Sequence, residues 1–370
     1  MLMALAAMIL AAAAVAGVVA YGAAKFFAAR SFLQDRPNGR SSHRAVTPRA
    51  GGIAIFAGFA VATVLFTLFM AVYGHQDTSA FLKFFVLAFL AFAFGALDDA
   101  RTFSARIKLL AQVAIAAGFV AAFGAVQTLP APFVGAVDLG AAAFPLTVFW
   151  IVAFMNVFNF MDGINGIAAS CALFVLSALA VVAAGEAASF APPALFLACA
   201  LFGFLPLNLP HGRIFMGDGG SQFVGFSIAA LAVLTAKQGG VSPMFTPIAF
   251  LPFIFDVAFT LIHRARRGRN VFAAHNEHLY QLLVRLGGAH ETVTTLYLTL
   301  IVISTTTALV ANTFGAAFQY AAALALTLAF LAPALIIYAR ASKAGLFAGA
   351  AEKARAEPAV EDAAFRTAAE

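Results

Sequence analysis

Four aspartates lie in three short polar segments of a mostly apolar chain. Asp98 and Asp99 are adjacent, Asp162 lies in a Met-Asp-Gly-Ile-Asn segment, and Asp218 lies in a Gly-Asp-Gly-Gly-Ser segment. Adjacent carboxylates repel one another unless a cation lies close to them. Oxygen ligands of this kind suit Mg²⁺ better than zinc. The three segments therefore predict a site for a divalent cation and an anionic ligand.

Three asparagines join the second segment at regular spacing. Asn156, Asn159, Asp162 and Asn165 recur at three-residue steps, which places their side chains near one side of a helix end. The glycines among them permit a tight turn and the close approach of a ligand. Helix capping between two spans is the alternative role, but a cap does not need four such residues in register. We interpret the segment as a source of amide and carboxylate ligands.

The Gly-Asp-Gly-Gly-Ser segment precedes an apolar run and is predicted to open a helix. Backbone N–H groups at a helix N-terminus suit a bound phosphate, and the Asp218 carboxylate suits a metal ion that holds that phosphate. Taken alone, these residues would also serve as an ordinary N-cap at Asp218 or Ser221. The acidic pair, Asp98 and Asp99, is likewise compatible with a solvated loop.

Cationic and imidazole side chains accompany the acidic segments. Lys108 and Gln112 lie four residues apart and share one helix face. The remaining candidates lie in the first loop and the longest inner loop: His43, Arg49, Arg266, Arg269, His275 and His278. Some of these arginines would serve as anchors beside anionic lipid, and two histidines three residues apart are weak evidence for zinc. Together with the acidic segments, these groups predict phosphoryl transfer at a membrane surface.

The rest of the chain must position these segments, and its composition predicts a membrane protein. Of 370 residues, 63% are hydrophobic and 10% are charged, which is too apolar for a soluble domain of this size. Several apolar runs reach the roughly 20 residues that cross a bilayer as a helix. The sequence predicts an all-α polytopic protein with ten or eleven spans, bounded at 3–28, 51–73, 80–97, 107–128, 143–159, 167–184, 191–209, 222–236, 244–262, 291–312 and 316–339.

The basic residues predict the orientation of these spans. Of the 22 Lys and Arg residues, all but Lys83 and Lys237 fall in or beside the loops that alternating spans place on one side. Such an excess marks the cytoplasmic side of a membrane. No basic residue precedes the first apolar run, which favours a retained first helix over a cleaved signal peptide. We therefore expect the polar segments on the cytoplasmic face.

One domain is predicted over residues 1–340, followed by a cytoplasmic tail over 341–370 to which no chemistry is assigned. Cys171 and Cys199 fall inside apolar runs and are interpreted as reduced packing residues rather than a disulfide. The net charge of +6 is explained by the sidedness of the loops. No nucleic-acid partner is predicted.

Five sequence pieces, in this order, resemble the polyprenyl-phosphate N-acetylhexosamine-1-phosphate transferases, the WecA/MraY superfamily of glycosyltransferase family 4. The resemblance covers residues 35 to about 283, and its pieces are HRAVTPRAGGI, LDDARTFSARIKLLAQ, NVFNFMDGINGIA, NLPHGRIFMGDGGS and PFIFDVAFTLIHR. In place of the family's His-Ile-His-His-type motif this chain has HNEHLYQ. In that respect it is similar to the WbpL/WbcO branch, which starts O-antigen synthesis.

The resemblance implies a reaction. The phosphate of undecaprenyl phosphate attacks the β-phosphorus of a UDP-N-acetylamino sugar, UMP leaves, and a lipid-linked diphospho-sugar forms for O-antigen or another envelope polysaccharide. UDP-N-acetylglucosamine and UDP-N-acetylfucosamine, or a related UDP-sugar, are the implied donors. Mg²⁺, or Mn²⁺ in its place, would offset charge as the P–O bond breaks. Membrane lipid is an expected partner, and a homodimer is implied because dimers occur in the family.

The resemblance also implies roles for the residues. Asp218 and Asn159 match the metal site, and Lys108 matches a phosphate-binding lysine. Asp98 and Asp99 match an acidic pair proposed to orient or deprotonate the acceptor. Four residues match the donor site and the place where its nucleobase is bound: Asp162, Asn165, Asn208 and Phe215. Four more match the loop that faces the diphosphate and sugar: Arg266, Arg269, His275 and His278. His43 and Arg49 of the first matching piece are further substrate-binding candidates. Asp256 matches an intramembrane position, where we expect it to hold the histidine loop by pairing with an arginine.

Two rival functions follow from the same composition: a lipid or nucleotide-sugar transporter, and a scaffold for glycan assembly. Transporters usually place ionisable groups near the middle of the membrane. Here the predicted carboxylates cluster at one face, and Asp256 alone lies about two turns inside a predicted span. The distribution favours the enzyme.

Overall fold

Long apolar helices make up the body of the molecule. The computed structural model of the protein describes residues 2–30, 32–35, 46–73, 78–185, 188–271, 273 and 275–347. Within these residues nine helices are long and apolar enough to cross a membrane, and one further apolar helix is shorter. The predicted all-α polytopic fold is confirmed. In chain order the helices are α1 (Leu2–Ala28), α2 (Gly51–Val72), α3 (Ser79–Arg101), α4 (Ala105–Phe123), α5 (Ala143–Met161), α6 (Ile167–Ala183), α7 (Ala191–Asn208), α8 (Gly217–Gln238), α9 (Phe245–Ala249), α10 (Leu251–Arg266), α11 (Leu279–Arg285), α12 (His290–Asn312) and α13 (Ala316–Lys343).

Most predicted spans coincide with these helices, but the span predicted over 244–262 is interrupted. The chain there forms a short helix, α9, and restarts as α10 after Phe250. Pro252 explains the break, because it has no N–H for the helical ladder and is tolerated in the first turn of a new helix. The span predicted to end at 128 stops at Phe123, where Gly124 adopts a φ of 80°.

Strands are few and short in the described residues. β1 (Gln34–Asp35) pairs with β2 (Thr47–Pro48), and β3 (Thr128–Ala131) pairs with β4 (Gly135–Asp138), both antiparallel. The β3–β4 hairpin occupies a segment that the sequence predicts only as an outer connection. Its prolines and lack of clear alternation hide the strand signal.

Helix α8 is the central element. It packs against α3 and α5, is crossed by α2, and is almost entirely buried along its length. It begins at Gly217 rather than at the predicted 222, so Asp218 lies in its first turn. The packing of three neighbours therefore fixes where the Asp218 side chain can point. At the other end of α8, Lys237 donates a hydrogen bond to the Ala125 carbonyl, close to the β3–β4 hairpin.

The described residues that follow α13 pack back against it. Of the predicted tail, residues 341–347 are described: α13 continues to Lys343, and the Phe347 ring stacks on Tyr338 with centroids 5.3 Å apart. Residues 348–370 lie outside the described residues.

Two glycines of neighbouring helices admit the first turn of α8. A Cβ added at Gly95 of α3 would lie 2.3 Å from the Asp218 carbonyl oxygen, and one at Gly52 of α2 would lie 2.2 Å from the Gly220 nitrogen. Both obstacles are backbone atoms, so rotation of a side chain cannot relieve the overlap. The absence of a Cβ thus sets the depth at which Asp218 sits between α2 and α3.

Replacing Gly95 by alanine should push α3 away from α8 and destabilise the protein by an amount on the order of 1–3 kcal/mol, the usual cost of overpacking. The measurement is the apparent melting temperature in detergent. Gly118→Ala on α4 is the matched control, because its Cβ would meet only Leu87 Cδ2 at 3.6 Å. Equal melting temperatures for Gly95→Ala and the control would contradict the close helix contact.

Candidate active site

Four carboxylates meet at the N-terminal end of α8. Helix α3 contributes two of them, the segment after α5 a third, and the first turn of α8 the fourth: Asp98, Asp99, Asp162 and Asp218. The structure therefore brings together the acidic segments that lie far apart in the sequence. Like charges at this range repel, so the cluster depends on the groups that compensate them.

Lys108 of α4 is the cation at the centre of the cluster. Its Nζ contacts the Asp98 carboxylate and lies 3.1 Å from Asp218 Oδ2. Asp98 is only 5% exposed, and its other oxygen accepts the Phe103 N–H at 2.7 Å. One ammonium group thus faces two carboxylates and can neutralise only one of them when both are ionised.

Asp218 is the more open of the two carboxylates on Lys108. Its side chain is 32% exposed, compared with 4% for that of Asp98. Its Oδ1 accepts a hydrogen bond from Asn159 Nδ2 at 3.1 Å, and the same nitrogen donates to Ser221 Oγ at 2.7 Å. Asn159 thus orients the Asp218 carboxylate. Its side-chain amide would have to flip, so that Oδ1 takes the place of Nδ2, before it could offer an oxygen to a metal ion.

The donor set fits Mg²⁺ in chemical type. Among the described residues, no group of three carboxylate, imidazole or thiol side chains is placed to hold a metal alone. Mg²⁺ is usually held by one or two carboxylates together with water and substrate phosphates. Asp218, with Asp98 beside it, supplies such a partial set of oxygen ligands.

Asp99 faces in a different direction from Asp98. Its Oδ1 accepts the backbone N–H of Asp218 at 2.9 Å, and its Oδ2 accepts that of Gly219 at 2.9 Å. These are two of the N–H groups predicted from the sequence to bind a phosphate. In this structure the protein's own carboxylate occupies them, so the predicted phosphate site there is wrong for these two groups.

A layer of amides lies one helical turn below Lys108. Gln112 donates to Gln222 Oε1 at 2.9 Å and accepts from Asn156 Nδ2 at 2.8 Å. The three side chains link α4, α5 and α8. Gln112 thus shares the Lys108 face as predicted, whereas Gln222 was missed, although it lies on α8 four residues beyond Asp218.

Asp162 ends α5 at the edge of the cluster. Burial raises the pKa of its carboxyl from 3.8 to about 7, the negative charges of Asp218 and Asp99 add to the shift, and Arg49 opposes it. The group is therefore poised to gain or lose a proton near neutral pH. A cation bound among these carboxylates would favour the ionised form.

The two asparagines predicted at the donor site bind backbone groups. Asn165 Nδ2 donates to the Pro210 carbonyl at 2.9 Å. Asn208 is buried, accepts the Gly166 N–H at 2.7 Å and donates to the Ile214 carbonyl at 2.8 Å. Both ends of the Asn208 amide are thus used inside the protein. Asn208 thus joins the loops that follow α5 and α7, and the nucleobase-binding role predicted for it stays a prediction.

The first loop approaches the cluster through its backbone. Phe215 is half-buried, and its N–H donates to the Pro48 carbonyl at 2.8 Å. Arg49 pairs with Asp35 at 2.9 Å and remains 42% exposed. Its positive charge therefore reaches the edge of the acidic cluster without being fully neutralised. The predicted ligand His43 lies outside the described residues.

A buried aspartate organises the histidine loop. Asp256 Oδ1 accepts the Leu279 N–H at 2.8 Å, and its Oδ2 accepts the Tyr280 N–H at 3.2 Å and the Tyr297 hydroxyl at 2.5 Å. His278 Nδ1 lies 3.3 Å from Oδ1. Asp256 thus caps α11 and fixes the loop, as expected, but it does so through backbone N–H groups, a tyrosine and a histidine.

The prediction that Asp256 pairs with an arginine is wrong for the described residues. Arg264 pairs with Glu277 at 3.0 Å, and Arg269 pairs with the same carboxylate at 2.6 Å while also donating to the Phe347 carbonyl. Arg269 thus holds the loop against Phe347, and the substrate-binding role predicted for it stays a prediction. Arg266 is exposed at the end of α10.

The two predicted histidines lie side by side, with ring centroids 4.8 Å apart. His278 is buried and stacks on Phe160, whose carbonyl accepts the Tyr280 hydroxyl at 2.9 Å. This contact brings the loop to the segment that carries Asp162. Burial, together with the neighbouring His278 and Arg264, lowers the pKa of His275 to about 4, so its ring is neutral at pH 7.

Comparison with known proteins places the chain among sugar-phosphate transferases. The model of the family "Glycosyl transferase family 4" matches residues 81–236. A probable undecaprenyl-phosphate N-acetylglucosaminyl 1-phosphate transferase of Bacillus subtilis is 34% identical over 261 residues, covering 70% of this chain and 71% of the relative. A decaprenyl-phosphate N-acetylglucosaminephosphotransferase of Mycobacterium tuberculosis is 30% identical over 76% of each chain. An undecaprenyl-phosphate alpha-N-acetylglucosaminyl 1-phosphate transferase of Escherichia coli is 30% identical over 69% of this chain and 70% of its own.

The raised pKa of Asp162 predicts a pH dependence of stability in the absence of divalent cations. Between about pH 4 and pH 7 the folded protein holds a proton that the unfolded chain releases, so this group makes stability fall as pH rises through that window. Asp162→Asn should therefore melt higher than wild type at pH 8 in EDTA, with a gap that closes towards pH 4. Asp138→Asn, in the distant hairpin, is the control. A gap that is constant with pH would contradict the assignment.

Proposed function

This chain belongs to the polyprenyl-phosphate N-acetylhexosamine-1-phosphate transferases of glycosyltransferase family 4, and we propose that it transfers an N-acetylamino-sugar 1-phosphate from a UDP-sugar to undecaprenyl phosphate. The products are UMP and a lipid-linked diphospho-sugar. The observation that carries the proposal is the Asp98–Lys108–Asp218 cluster at the end of the membrane-spanning helices. In this proposal a soluble donor and a membrane-bound acceptor would meet at that cluster.

The residues of the cluster have different electrostatic roles in this proposal. Asp218, assisted by Asp98, would hold Mg²⁺ or Mn²⁺, which supplies charge neutralisation for the diphosphate as the bond to UMP breaks. Lys108 is positioned to bind a phosphate oxygen once the donor competes for its carboxylate partners. No strong base is needed at the acceptor, because a phosphate monoester with a second pKa of about 6 is largely ionised at neutral pH.

The acceptor can reach the cluster from the lipid. Leu97 and Ile107 stand next to Asp98 and Lys108 in the sequence, and with Leu110 they expose about half or more of their side chains. In a membrane such side chains would face acyl chains. The polyprenyl tail would then lie along α3 and α4, with its phosphate at Lys108.

The donor sugar has two candidates. The names of the relatives support UDP-N-acetylglucosamine. The HNEHLYQ segment, similar to the WbpL/WbcO branch, supports UDP-N-acetylfucosamine or a related 6-deoxy sugar and a role in starting O-antigen synthesis. A panel of UDP-sugars incubated with the protein and undecaprenyl phosphate decides between them by which donor yields UMP.

The proposed location is the bacterial inner membrane, with the cluster facing the cytoplasm. The Lys and Arg distribution supports this orientation. The β3–β4 hairpin, at the opposite end of α8 from Asp218, would face outwards. The homodimer implied by the family stays a prediction.

Asp218→Asn should abolish release of UMP that depends on a divalent cation, because it removes the exposed carboxylate of the cluster. UMP is measured by chromatography after incubation with a UDP-sugar and undecaprenyl phosphate. Asp138→Asn is the matched control and should retain full activity. Unimpaired turnover by Asp218→Asn would remove the metal assignment, and uptake of UDP-sugar into proteoliposomes without UMP would support the rival transporter.

The proposed orientation predicts opposite labelling of two cysteine variants made in a chain that carries Cys171→Ala and Cys199→Ala. In intact cells, a membrane-impermeant maleimide should label Phe133→Cys, which lies at the exposed hairpin tip. It should label Arg266→Cys only after lysis. Labelling of Arg266→Cys in intact cells would place the cluster on the outer face.

A further inference from the structure

We propose that Asp99 is a positioning residue that holds Asp218 in place by capping α8, and that it is not the group that takes a proton from the acceptor phosphate. The proposal deepens the transferase function proposed above and rests on it for the role of Asp218. The sequence suggests one shared role for the adjacent residues Asp98 and Asp99. In the structure, the two carboxylates contact different groups.

The contacts of Asp99 define its role. Each of its two oxygens accepts one backbone N–H of the first turn of α8, from Asp218 and from Gly219, and both distances are 2.9 Å. A carboxylate that accepts N–H groups at a helix N-terminus forms charge-assisted hydrogen bonds and also interacts favourably with the helix dipole. Because one of the two donors is the Asp218 backbone itself, any movement of Asp99 is passed directly to Asp218.

Helix α8 has no cap of its own to replace these contacts. The first N–H groups of a helix lack partners within it, and Met216, at the N-cap position, has no side-chain hydrogen bond to them. Ser, Thr, Asp or Asn usually provides that acceptor at the N-cap. In this chain it comes instead from α3, 119 residues earlier in the sequence.

Gly217 supplies a second, independent observation. A Cβ added there would lie 2.7 Å from Asp99 Oδ2, and the residue has a φ of 71°, which favours glycine. The absence of a side chain at Gly217 thus leaves room at the start of α8 for the Asp99 carboxylate. The fit between Gly217 and Asp99 indicates a built contact between α3 and α8.

Asp98, by contrast, contacts the Lys108 ammonium and accepts the Phe103 N–H. Neighbouring residues of a helix point about 100° apart. On α3, Asp98 therefore contacts Lys108, while Asp99 contacts the backbone of α8. The acidic pair therefore divides into one electrostatic and one positioning residue.

The first test measures hydrogen exchange of the amides in residues 216–222 of the full-length protein, without substrate. Asp99→Ala should speed exchange there by roughly five- to tenfold, the effect expected from loss of a helix cap. Asp99→Asn and Asp99→Ser, which still accept N–H groups, should lie between Asp99→Ala and wild type. Asp98→Asn is the control and should leave these amides protected. Unchanged exchange in Asp99→Ala would overturn the proposal. If the alanine variant does not fold, unchanged exchange in both Asp99→Asn and Asp99→Ser would overturn it.

The second test compares turnover and Mn²⁺ affinity, the latter by electron paramagnetic resonance, across the same variants. A positioning role predicts partial rescue by Asn and Ser relative to Ala, together with weakened Mn²⁺ binding and an unchanged pH profile of kcat. A proton-acceptor role predicts equal loss of kcat in all three variants and intact Mn²⁺ binding, which would contradict the proposal. If wild type releases no UMP, the proposed function fails, while the exchange comparison still decides the role of Asp99.

Discussion

The whole site depends on one lysine that must balance more than one buried negative charge. Lys108 lies between Asp98 and Asp218, while Asp99 and Asp162 stand close by. Carboxylates gathered at a membrane surface raise the free energy of the folded protein unless cations or N–H groups compensate them. The protein supplies part of that compensation through Lys108 and the N–H groups of α8. In the proposed function, a divalent cation would supply the rest.

The surrounding architecture keeps the charges at fixed distances. Glycines at 52 and 95 let α2 and α3 contact the first turn of α8, and an amide layer of Gln112, Asn156 and Gln222 locks α4, α5 and α8 one turn deeper. Asp256 fixes α11 and the histidine loop from inside the bundle. Fixed geometry of this kind makes electrostatic stabilisation effective, because little reorganisation is needed during the reaction.

The membrane class, most helices and the meeting of the acidic segments follow from the sequence, because polar groups in so apolar a chain have few places to lie. The roles within the cluster do not follow. Whether Asp98 or Asp99 contacts Lys108 depends on the rotation of α3, and whether Asn208 or Arg269 binds a ligand depends on which backbone or carboxylate groups they already satisfy. The break before Pro252 and the β3–β4 hairpin likewise depend on tertiary contacts that no local pattern reveals.

The nucleotide that the purified wild-type protein releases distinguishes transfer of a sugar 1-phosphate from other reactions. With undecaprenyl phosphate, a UDP-N-acetylamino sugar and Mg²⁺, we expect UMP and lipid-linked diphospho-sugar in equal amounts, and neither product in EDTA. Release of UDP instead would mean that the sugar moves without its phosphate. Release of UMP at the same rate in EDTA would show that the carboxylate cluster does not work through a divalent cation. Either result would contradict transfer of a sugar 1-phosphate that depends on a divalent cation.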